Sequence, residues 1–256
     1  MNLKILVATN KKYWMPKDSV YTPIQVGAEG HEKLGYIRDN IGENISKKNA
    51  NYCELTGLYW AWKNLECDYI GLCHYRRYFT RKKHISDLEE KKNAILDKKA
   101  YEKLLSRYDI ILPAKRNYYI ETVRSQYEHA HYKKDLETVE EIIKEEYPNY
   151  AKAFEIVMAR HRLHIYNMFV MKKSDFDAYC QWLFSILHKA EEKIDITGYS
   201  PYEARIYGFL AERLFNVWLE QKQFHTVEVP VVCLEKIDWP KKIKAFLKRK
   251  FLGNKK

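Results

Sequence analysis

The residues best suited to chemistry are two adjacent arginines, Arg76 and Arg77, which follow a short apolar run at residues 69–73 (YIGLC). Ligands of α/β proteins bind where parallel strands end, so a buried strand here would present His74 and both arginines to a site. Each guanidinium fork bonds two oxygens at once, which suits an anionic ligand such as a diphosphate. The alternative is that the two arginines lie in a solvent-exposed basic turn, as consecutive charged residues usually do. The flanking strand and aromatic residues favour a walled pocket.

Carboxylates suited to acid–base work lie in a helix predicted to begin at Ser200. The segment Ser200-Pro-Tyr-Glu203 is typical of a helix start, so Glu203 is predicted mainly to complete a capping box and secondarily to contact a sugar. Arg205, Gly208 and Glu212 share one helical face, and Gly208 leaves room for a ligand. Glu212 has no capping duty and is the candidate general base. The alternative is an ordinary Arg–Glu surface pair.

Three other polar residues are candidates for contacts with a sugar or an acceptor. His129 and His131 are separated by one residue within the aromatic, basic segment 115–132, which has no clear period and is predicted to line a site. Their spacing is weak evidence for a metal, and structural packing is the alternative role of each. Asn167 is the lone polar residue in a predicted buried strand, so its amide must bond either backbone or ligand.

Several motifs with known chemistry are missing. The sequence has no GxGxxG, P-loop, GxSxG or HExxH pattern, which disfavours a dinucleotide enzyme, an NTPase, a serine hydrolase and a zinc protease. No Asp-x-Asp follows the strand at 69–73, where a carboxylate pair would hold a divalent metal on a nucleotide diphosphate. Arginine would then have to supply the positive charge itself.

Composition limits the class of protein and its partners. The 256 residues suffice for one large α/β domain, and a net charge of +11 indicates an anionic partner. The five cysteines show no CxxC spacing, so neither a disulfide framework nor a zinc site is indicated, and a reducing cytoplasm is the simplest setting. The first residues read as a strand rather than a signal peptide, and no apolar run is long enough to span a membrane.

Periodicity predicts alternating strands and helices, and hence a mostly parallel central sheet flanked by helices in one domain at residues 1–238. In order, the predicted elements are a strand at 3–9, an irregular stretch at 11–46, a helix at 51–65, the strand at 69–73, a polar helix at 86–107, a strand at 109–112, helices at 136–147 and 150–162, a strand at 165–171, helices that begin near 174 and 200, and a last strand at 226–234.

The tail at residues 239–256 differs from the rest of the chain. Trp239, Ile243, Phe246, Leu247 and Phe251 fall on one helical face, and the remainder is dominated by lysine and arginine. This pattern predicts a basic amphipathic helix on an anionic lipid surface. The alternative is a solvated basic C-terminus that packs its apolar stripe on its own domain.

Several sequence blocks occur together and in the order found in a known family. They are NYCELTGLYWAWKN, DYIGLCHYRRYF, LPAKRNYYIETVRSQYEHAHYKKDLE, YNMFVMKK and GFLAERLFNVW. In these blocks the chain resembles a bacterial family of capsular and exopolysaccharide synthesis glycosyltransferases, formerly described only as a domain of unknown function, and the resemblance covers about residues 3–235. The resemblance implies a GT-A-like fold, a UDP-hexose donor and a lipid-linked oligosaccharide acceptor at the cytoplasmic face of the membrane.

The resemblance also implies roles for particular residues. In a GT-A domain the first strand and the following loop bind the nucleotide, so Thr9, Asn10 and Gln25 of segment 21–27 become nucleotide candidates beside His74 and the arginines. The HYRRYF block stands where GT-A enzymes usually carry metal-binding carboxylates. The expectation is therefore an enzyme without a metal or other cofactor.

Three hypotheses about the function follow from these observations. The leading hypothesis is an inverting transferase that moves a hexose such as galactopyranose or galactofuranose from UDP to a growing glycan, at the inner face of the cytoplasmic membrane. Glu212 would act as base while the arginine pair stabilises the departing diphosphate. The second is a basic nucleic-acid-binding protein, disfavoured because its charges are spread through the chain. The third is a non-catalytic, membrane-associated scaffold of a polysaccharide assembly complex.

Overall fold

The computed structural model describes residues 1–235, and the predicted helix at 239–256 lies outside the described residues. The strands are β1 (Leu3–Thr9), β2 (Tyr21–Gln25), β3 (Ile37–Arg38), β4 (Tyr69–His74), β5 (Arg77–Phe79), β6 (Ile110–Pro113), β7 (Arg116–Asn117), β8 (Arg162–Leu163), β9 (Phe169–Lys172), β10 (Thr226–Val229) and β11 (Val231–Cys233). The α-helices are α1 (Asn49–Tyr52), α2 (Leu55–Asn64), α3 (Leu88–Asn93), α4 (Lys98–Leu105), α5 (Val123–Ala130), α6 (Lys133–Glu146), α7 (Pro148–Ala159), α8 (Lys173–Lys193) and α9 (Ile206–Lys222), and short 3-10 helices cover Ser46–Lys48 and Glu203–Arg205.

The central sheet runs in the order β10-β6-β9-β4-β1-β2-β3, and β5 pairs with both β4 and β11. Along this path β9 alone is antiparallel to its neighbours, so the carboxyl ends of the other strands share one edge with the amino end of β9. The predicted α/β fold, a mostly parallel sheet flanked by helices, is confirmed.

Both faces of the sheet are covered, as the continuous apolar sequence of β1 requires. Leu6 and Ala8 contribute to the core beneath α2 and α5 to α9, while Ile5 and Val7 face a second core that contains Tyr78. Because successive side chains of a strand point to opposite faces, one short strand supports both cores. In the part of the chain that the structure describes, no helix is both long and apolar enough to span a bilayer.

Two differences from the predicted elements lie next to the strand ends that form the site. The predicted helix at 51–65 is broken at Cys53, whose φ of 53° and ψ of −131° separate α1 from α2. The predicted strand at 165–171 begins only at Phe169, because Tyr166 and Asn167 have φ values of 78° and 52°. Non-glycine residues rarely adopt such angles, so the surrounding contacts must hold the backbone there.

The remaining differences change connections rather than the overall architecture. The stretch at 11–46 is not wholly irregular, since it contains β2 and β3. The polar helix at 86–107 is two helices, each capped by an aspartate, Asp87 and Asp97. The last strand is divided at Pro230, which has no N–H for a sheet ladder, so that β10 pairs with β6 and β11 with β5.

Candidate active site

A cavity of about 1000 Å³ opens at the edge of the sheet where β1 and β4 end. Residues 8–10 and 74–77 lie at the carboxyl ends of these strands and form what we call the strand-end wall. Residues 201–213, from the second 3-10 helix and the first half of α9, form the helix wall. The break between α1 and α2, together with residues near β7 and α5, completes the lining. This position is where ligands of open α/β sheets bind.

The two arginines of the strand-end wall have different partners. Arg76 donates from Nη1 to Glu235 Oε2 at 2.7 Å, and Lys11 Nζ lies 3.4 Å from the other oxygen of that carboxylate. The guanidinium of Arg77 lies over the ring of Tyr166, 4.4 Å from its centroid, and forms no ion pair or hydrogen bond within residues 1–235. Arg77 is therefore the cation with free donors on this wall, whereas Arg76 is shared with a carboxylate.

The backbone of Tyr166 joins the two walls. Its N–H donates to Glu212 Oε1 at 2.7 Å, and its carbonyl oxygen accepts a hydrogen bond from His74 Nε2 at 2.7 Å. A carbonyl only accepts, so His74 must carry a proton on Nε2, and Nδ1 is then a lone-pair acceptor when the ring is neutral. The positive φ of Tyr166 turns its N–H toward the helix wall and its carbonyl toward the strand-end wall.

Burial shifts the pKa values of His74 and Glu212, the two titratable side chains that are hydrogen-bonded to the backbone of Tyr166. Burial lowers the pKa of His74, with smaller opposing effects from Glu54 and from the Tyr166 carbonyl. Burial likewise raises the pKa of Glu212, although Arg213 and the Tyr166 N–H counteract part of this shift. His74 therefore favours its neutral form at pH 7 and is suited to act at the cavity as a hydrogen-bonding group. Glu212 gains basicity from the same desolvation.

Asn167 is not in a strand, but its amide contributes to the network beneath the cavity. Its Nδ2 donates to Glu54 Oε1 at 2.8 Å and to the carbonyl of Gly208 at 3.3 Å, so it links the α1–α2 break to α9. Asn167 is 2% exposed, and its Oδ1 has no hydrogen-bond partner within residues 1–235. The amide thus positions Glu54, a second carboxylate on the cavity lining that sequence reasoning missed.

Sequence reasoning also missed Arg213, the residue that holds Glu212 from the helix side. Its guanidinium is buried and bonds Glu212 Oε2 at 3.1 Å, the Phe209 carbonyl at 3.0 Å and Gln126 Oε1 at 2.6 Å. A buried arginine needs such partners, and they fix its plane. The only sequence signal was an arginine within an otherwise apolar helical stretch.

The candidates Arg205, Gly208 and Glu212 do lie on one face of the helix wall and line the cavity. Arg205 donates from Nε to Cys53 Sγ at 3.1 Å, and this thiol has a pKa raised by burial to about 11. A side chain at position 208 would meet Cys53, because a Cβ built there lies 3.3 Å from Sγ. The glycine thus permits close packing of the helix on the strained turn.

Thr9 and Asn10 line the strand-end wall, and Thr9 Oγ1 closes a turn by donating to the Lys11 carbonyl at 2.7 Å. Gln25 is not on the cavity lining, which corrects its assignment to the nucleotide. Its amide donates to the Glu32 carbonyl and accepts from the Leu34 N–H, so it is fully used in holding that loop.

The two candidate histidines, His129 and His131, lie at the end of α5 and have different surroundings. His129 is not on the cavity lining and bonds Glu121 Oε1 through Nδ1 at 2.6 Å, which corrects its assignment to the sugar. His131 lies on the cavity lining and stacks on Phe209, with ring centroids 4.1 Å apart. Glu203 forms the predicted capping bonds, accepting from both the N–H and the hydroxyl of Ser200.

Within residues 1–235, no group of three or more His, Cys, Asp or Glu side chains is arranged to hold a metal ion. The Asp-x-Asp sequence at Asp175 and Asp177 occurs at the start of α8. Because β9 is antiparallel, α8 begins at the opposite edge of the sheet from the cavity. These carboxylates are therefore remote from the arginine pair.

Comparisons with known proteins agree with this fold. The chain matches the family model described as "Domain of unknown function (DUF4422)" over residues 4–223. It is similar to a solved structure described as "WbbM bifunctional glycosytransferase apo structure", with a TM-score of 0.86 and 31% sequence identity. The match covers 92% of this chain and 46% of that chain, so this chain spans about half the length of its structural relative. No curated protein sequence matches significantly.

Proposed function

Because the chain belongs to the DUF4422 family and shares its fold with a glycosyltransferase, we propose that it transfers a hexose from a UDP-sugar to a hydroxyl of a glycan. The observation that carries the proposal is that Arg77 and Glu212 line one cavity and are linked through Tyr166. An anion-binding cation and a desolvated base at one strand edge are what sugar transfer from a diphosphate requires.

The arginines stabilise the departing diphosphate in this proposal. Negative charge develops on the phosphate oxygens as the glycosidic bond breaks, and preorganised guanidinium groups lower the energy of that state. Arg77 has free donors for this role, and its stacking on Tyr166 holds its plane. Arg76 must first exchange Glu235 for phosphate, so it contributes less. Thr9 and Asn10 lie at the same wall and are suited to contact the nucleotide.

Glu212 accepts the proton of the attacking hydroxyl. Its two oxygens are oriented by the Tyr166 N–H and by Arg213, and each retains a further lone pair for the substrate. The acceptor oxygen forms a bond to the anomeric carbon as the bond from that carbon to the diphosphate breaks, and the proton passes to Glu212. Attack from the face opposite the leaving group inverts the anomeric centre.

The test is hydrolysis of UDP-hexoses and binding of UDP, each measured with and without a chelator. We expect saturable binding of UDP, hydrolysis of at least one UDP-hexose and no dependence on divalent metal, since arginine supplies the positive charge at the diphosphate. Absence of UDP binding contradicts the nucleotide donor. Loss of binding in EDTA with recovery in manganese contradicts metal independence alone.

We also propose a lipid-linked glycan acceptor and a location at the inner face of the cytoplasmic membrane, in capsule, exopolysaccharide or O-antigen synthesis. The support is the basic amphipathic composition of residues 239–256. Truncation after Asp238 should release the protein from anionic vesicles and leave UDP binding unchanged. A truncated protein that unfolds, or that still sediments fully with vesicles, contradicts the lipid-binding role of the tail.

A further inference from the structure

A group of stacked rings occupies the part of the helix wall that precedes Glu212. The rings of Phe209, His131 and Tyr202 contact one another, with centroids 4.1 Å apart for Phe209 and His131, 5.3 Å for Phe209 and Tyr202, and 6.1 Å for His131 and Tyr202. All three residues line the cavity. We call Tyr202, Phe209 and His131 the ring platform. Neither the diphosphate nor the proton transfer proposed above uses it.

Tyr202 is the exposed member of the ring platform. Half of its surface is accessible (51%), which is unusual for a large ring fixed against other aromatic side chains. It follows Pro201, whose fixed φ limits the backbone, and Phe209 supports its ring from α9. A ring that is held in place yet left open to a cavity is preorganised for contact with a ligand, because little side-chain entropy remains to be lost.

Arg205 supplies polar donors beside the ring platform. Its guanidinium carbon lies 5.8 Å from the centroid of Phe209, and its Nε is bonded to Cys53 Sγ. The terminal Nη atoms form no hydrogen bond within residues 1–235. The surface therefore combines an apolar aromatic face with free N–H donors at its rim, the pattern of a specific small-molecule subsite.

A pyranose ring has the complementary chemistry. One face of a hexopyranose presents C–H groups that pack on an aromatic ring, and its hydroxyls project outward to bond donors such as guanidinium. A nucleoside fits less well here, since the strand-end wall with the diphosphate-binding arginines occupies the other part of the cavity. Arg205, Phe209 and Glu212 are spaced i, i+4 and i+7, so a sugar on the ring platform lies along the same helical face as the base.

We propose that the ring platform, with Arg205, binds the terminal hexopyranose of the acceptor and directs one of its hydroxyls to Glu212. The assignment rests on the proposed glycosyl transfer and specifies which part of the cavity receives the acceptor glycan and which residues hold it. Tyr202 determines acceptor affinity and does not contact the donor.

The experiment measures binding of methyl hexopyranosides, with galactose and glucose as both anomers, in the presence of UDP. Ligand-observed NMR detects such weak complexes, and UDP affinity is measured on the same samples. The variants are Tyr202→Ala, which removes the ring, and Tyr202→Phe, which retains it. Tyr108→Ala is the matched control, because Tyr108 is also a partly exposed tyrosine packed against a histidine, with its ring centroid 4.7 Å from that of His225, but it precedes β6 at the opposite edge of the sheet.

We expect Tyr202→Ala to weaken glycoside binding about tenfold, the scale of a lost aromatic contact, with UDP affinity unchanged. Tyr202→Phe and Tyr108→Ala should bind the glycoside as the wild type does. The assignment is overturned if Tyr202→Ala binds glycoside normally, if it loses UDP affinity to the same extent, or if the wild type binds UDP but no glycoside. A wild type that does not bind UDP counts against the proposed function instead.

Discussion

The two walls of the cavity are built in different ways. The strand-end wall consists of short loops after parallel strands, and its cations are presented by backbone positions that the sheet fixes. The helix wall is a single face of one helix, where spacing alone aligns Arg205, Phe209 and Glu212. The strand-end wall suits a ligand that carries a fixed negative charge. The helix wall presents aromatic rings at one end and the Glu212 carboxylate at the other. In the proposed reaction, donor and acceptor are therefore recognised by separate elements.

The walls meet where the backbone is strained. Tyr166 and Asn167 have positive φ, and Cys53 does so on the adjoining turn. Such conformations cost on the order of 1–3 kcal/mol each and persist only where other contacts enforce them. Here the enforcing contacts are hydrogen bonds from the site itself, through Glu212, His74 and Glu54. These hydrogen bonds, and the strained backbone that they hold, thus fix the distance between the walls.

The largest effect should come from the base on the helix wall. Glu212→Gln keeps the shape of the side chain but cannot accept a proton, so transfer should fall at least about a hundredfold while UDP affinity is retained. Glu220→Gln is the control, because Glu220 lies further along the same helix and pairs with Arg160 away from the cavity. A Glu212→Gln variant that transfers sugar at the normal rate would show that the helix wall takes no part in the chemistry.

The strand-end wall should respond in the opposite manner. Arg77→Ala should weaken UDP by about 1.5–3 kcal/mol and uridine much less, since it removes a charge-assisted contact to phosphate. Arg76→Ala should have a smaller effect because that arginine is already paired with Glu235. Isothermal titration with both ligands measures the difference, with Arg81→Ala as a control that lies off the cavity and pairs with Asp97. Equal losses of uridine and UDP would contradict a phosphate role.

A weaker effect tests the competition for Arg76. Glu235→Gln removes the carboxylate, so Arg76 is released to the ligand and UDP should bind about two- to fivefold more tightly, as expected for an exposed ion pair. The gain should disappear in the Arg76→Ala background. Tightening that persists without Arg76 would show that Glu235 acts through another group, such as Lys11.

The smallest expected effect is on how the stability of the fold depends on pH. The folded pKa of Glu212 is raised, so this carboxyl group stabilises the fold below its unfolded pKa of about 4.3, and the contribution is lost as pH rises through the folded value. The Tm of Glu212→Gln relative to wild type should therefore increase between about pH 4 and pH 7. A constant Tm difference across this range would indicate that the carboxyl group is not desolvated.

The sequence predicts those features that depend on local patterns. The strand before His74, the arginine pair and the shared helical face of Arg205 and Glu212 all follow from apolar runs or spacing. The left-handed turn at Tyr166 could not be predicted, because it is held by contacts with residues far away in the chain. The partners of Gln25 and His129 lie closer in sequence but are set by loop conformation, because Gln25 bonds the Glu32 carbonyl and the Leu34 N–H and His129 bonds Glu121. Residue type reveals the capacity for a contact, and only the tertiary structure reveals the partner.

The pairing of β11 with β5 has a consequence for biosynthesis. The strand that begins at Arg77 obtains its outer neighbour from Val231–Cys233, more than a hundred and fifty residues later, and Arg76 receives Glu235 from the same segment. During translation, β1, β2 and β4 can pair early because all three lie within the first 74 residues. The arginine strand remains an open edge until residues 231–235 emerge from the ribosome. The part of the proposed donor site that carries Arg76 and Arg77 is thus among the last to be completed in the nascent chain.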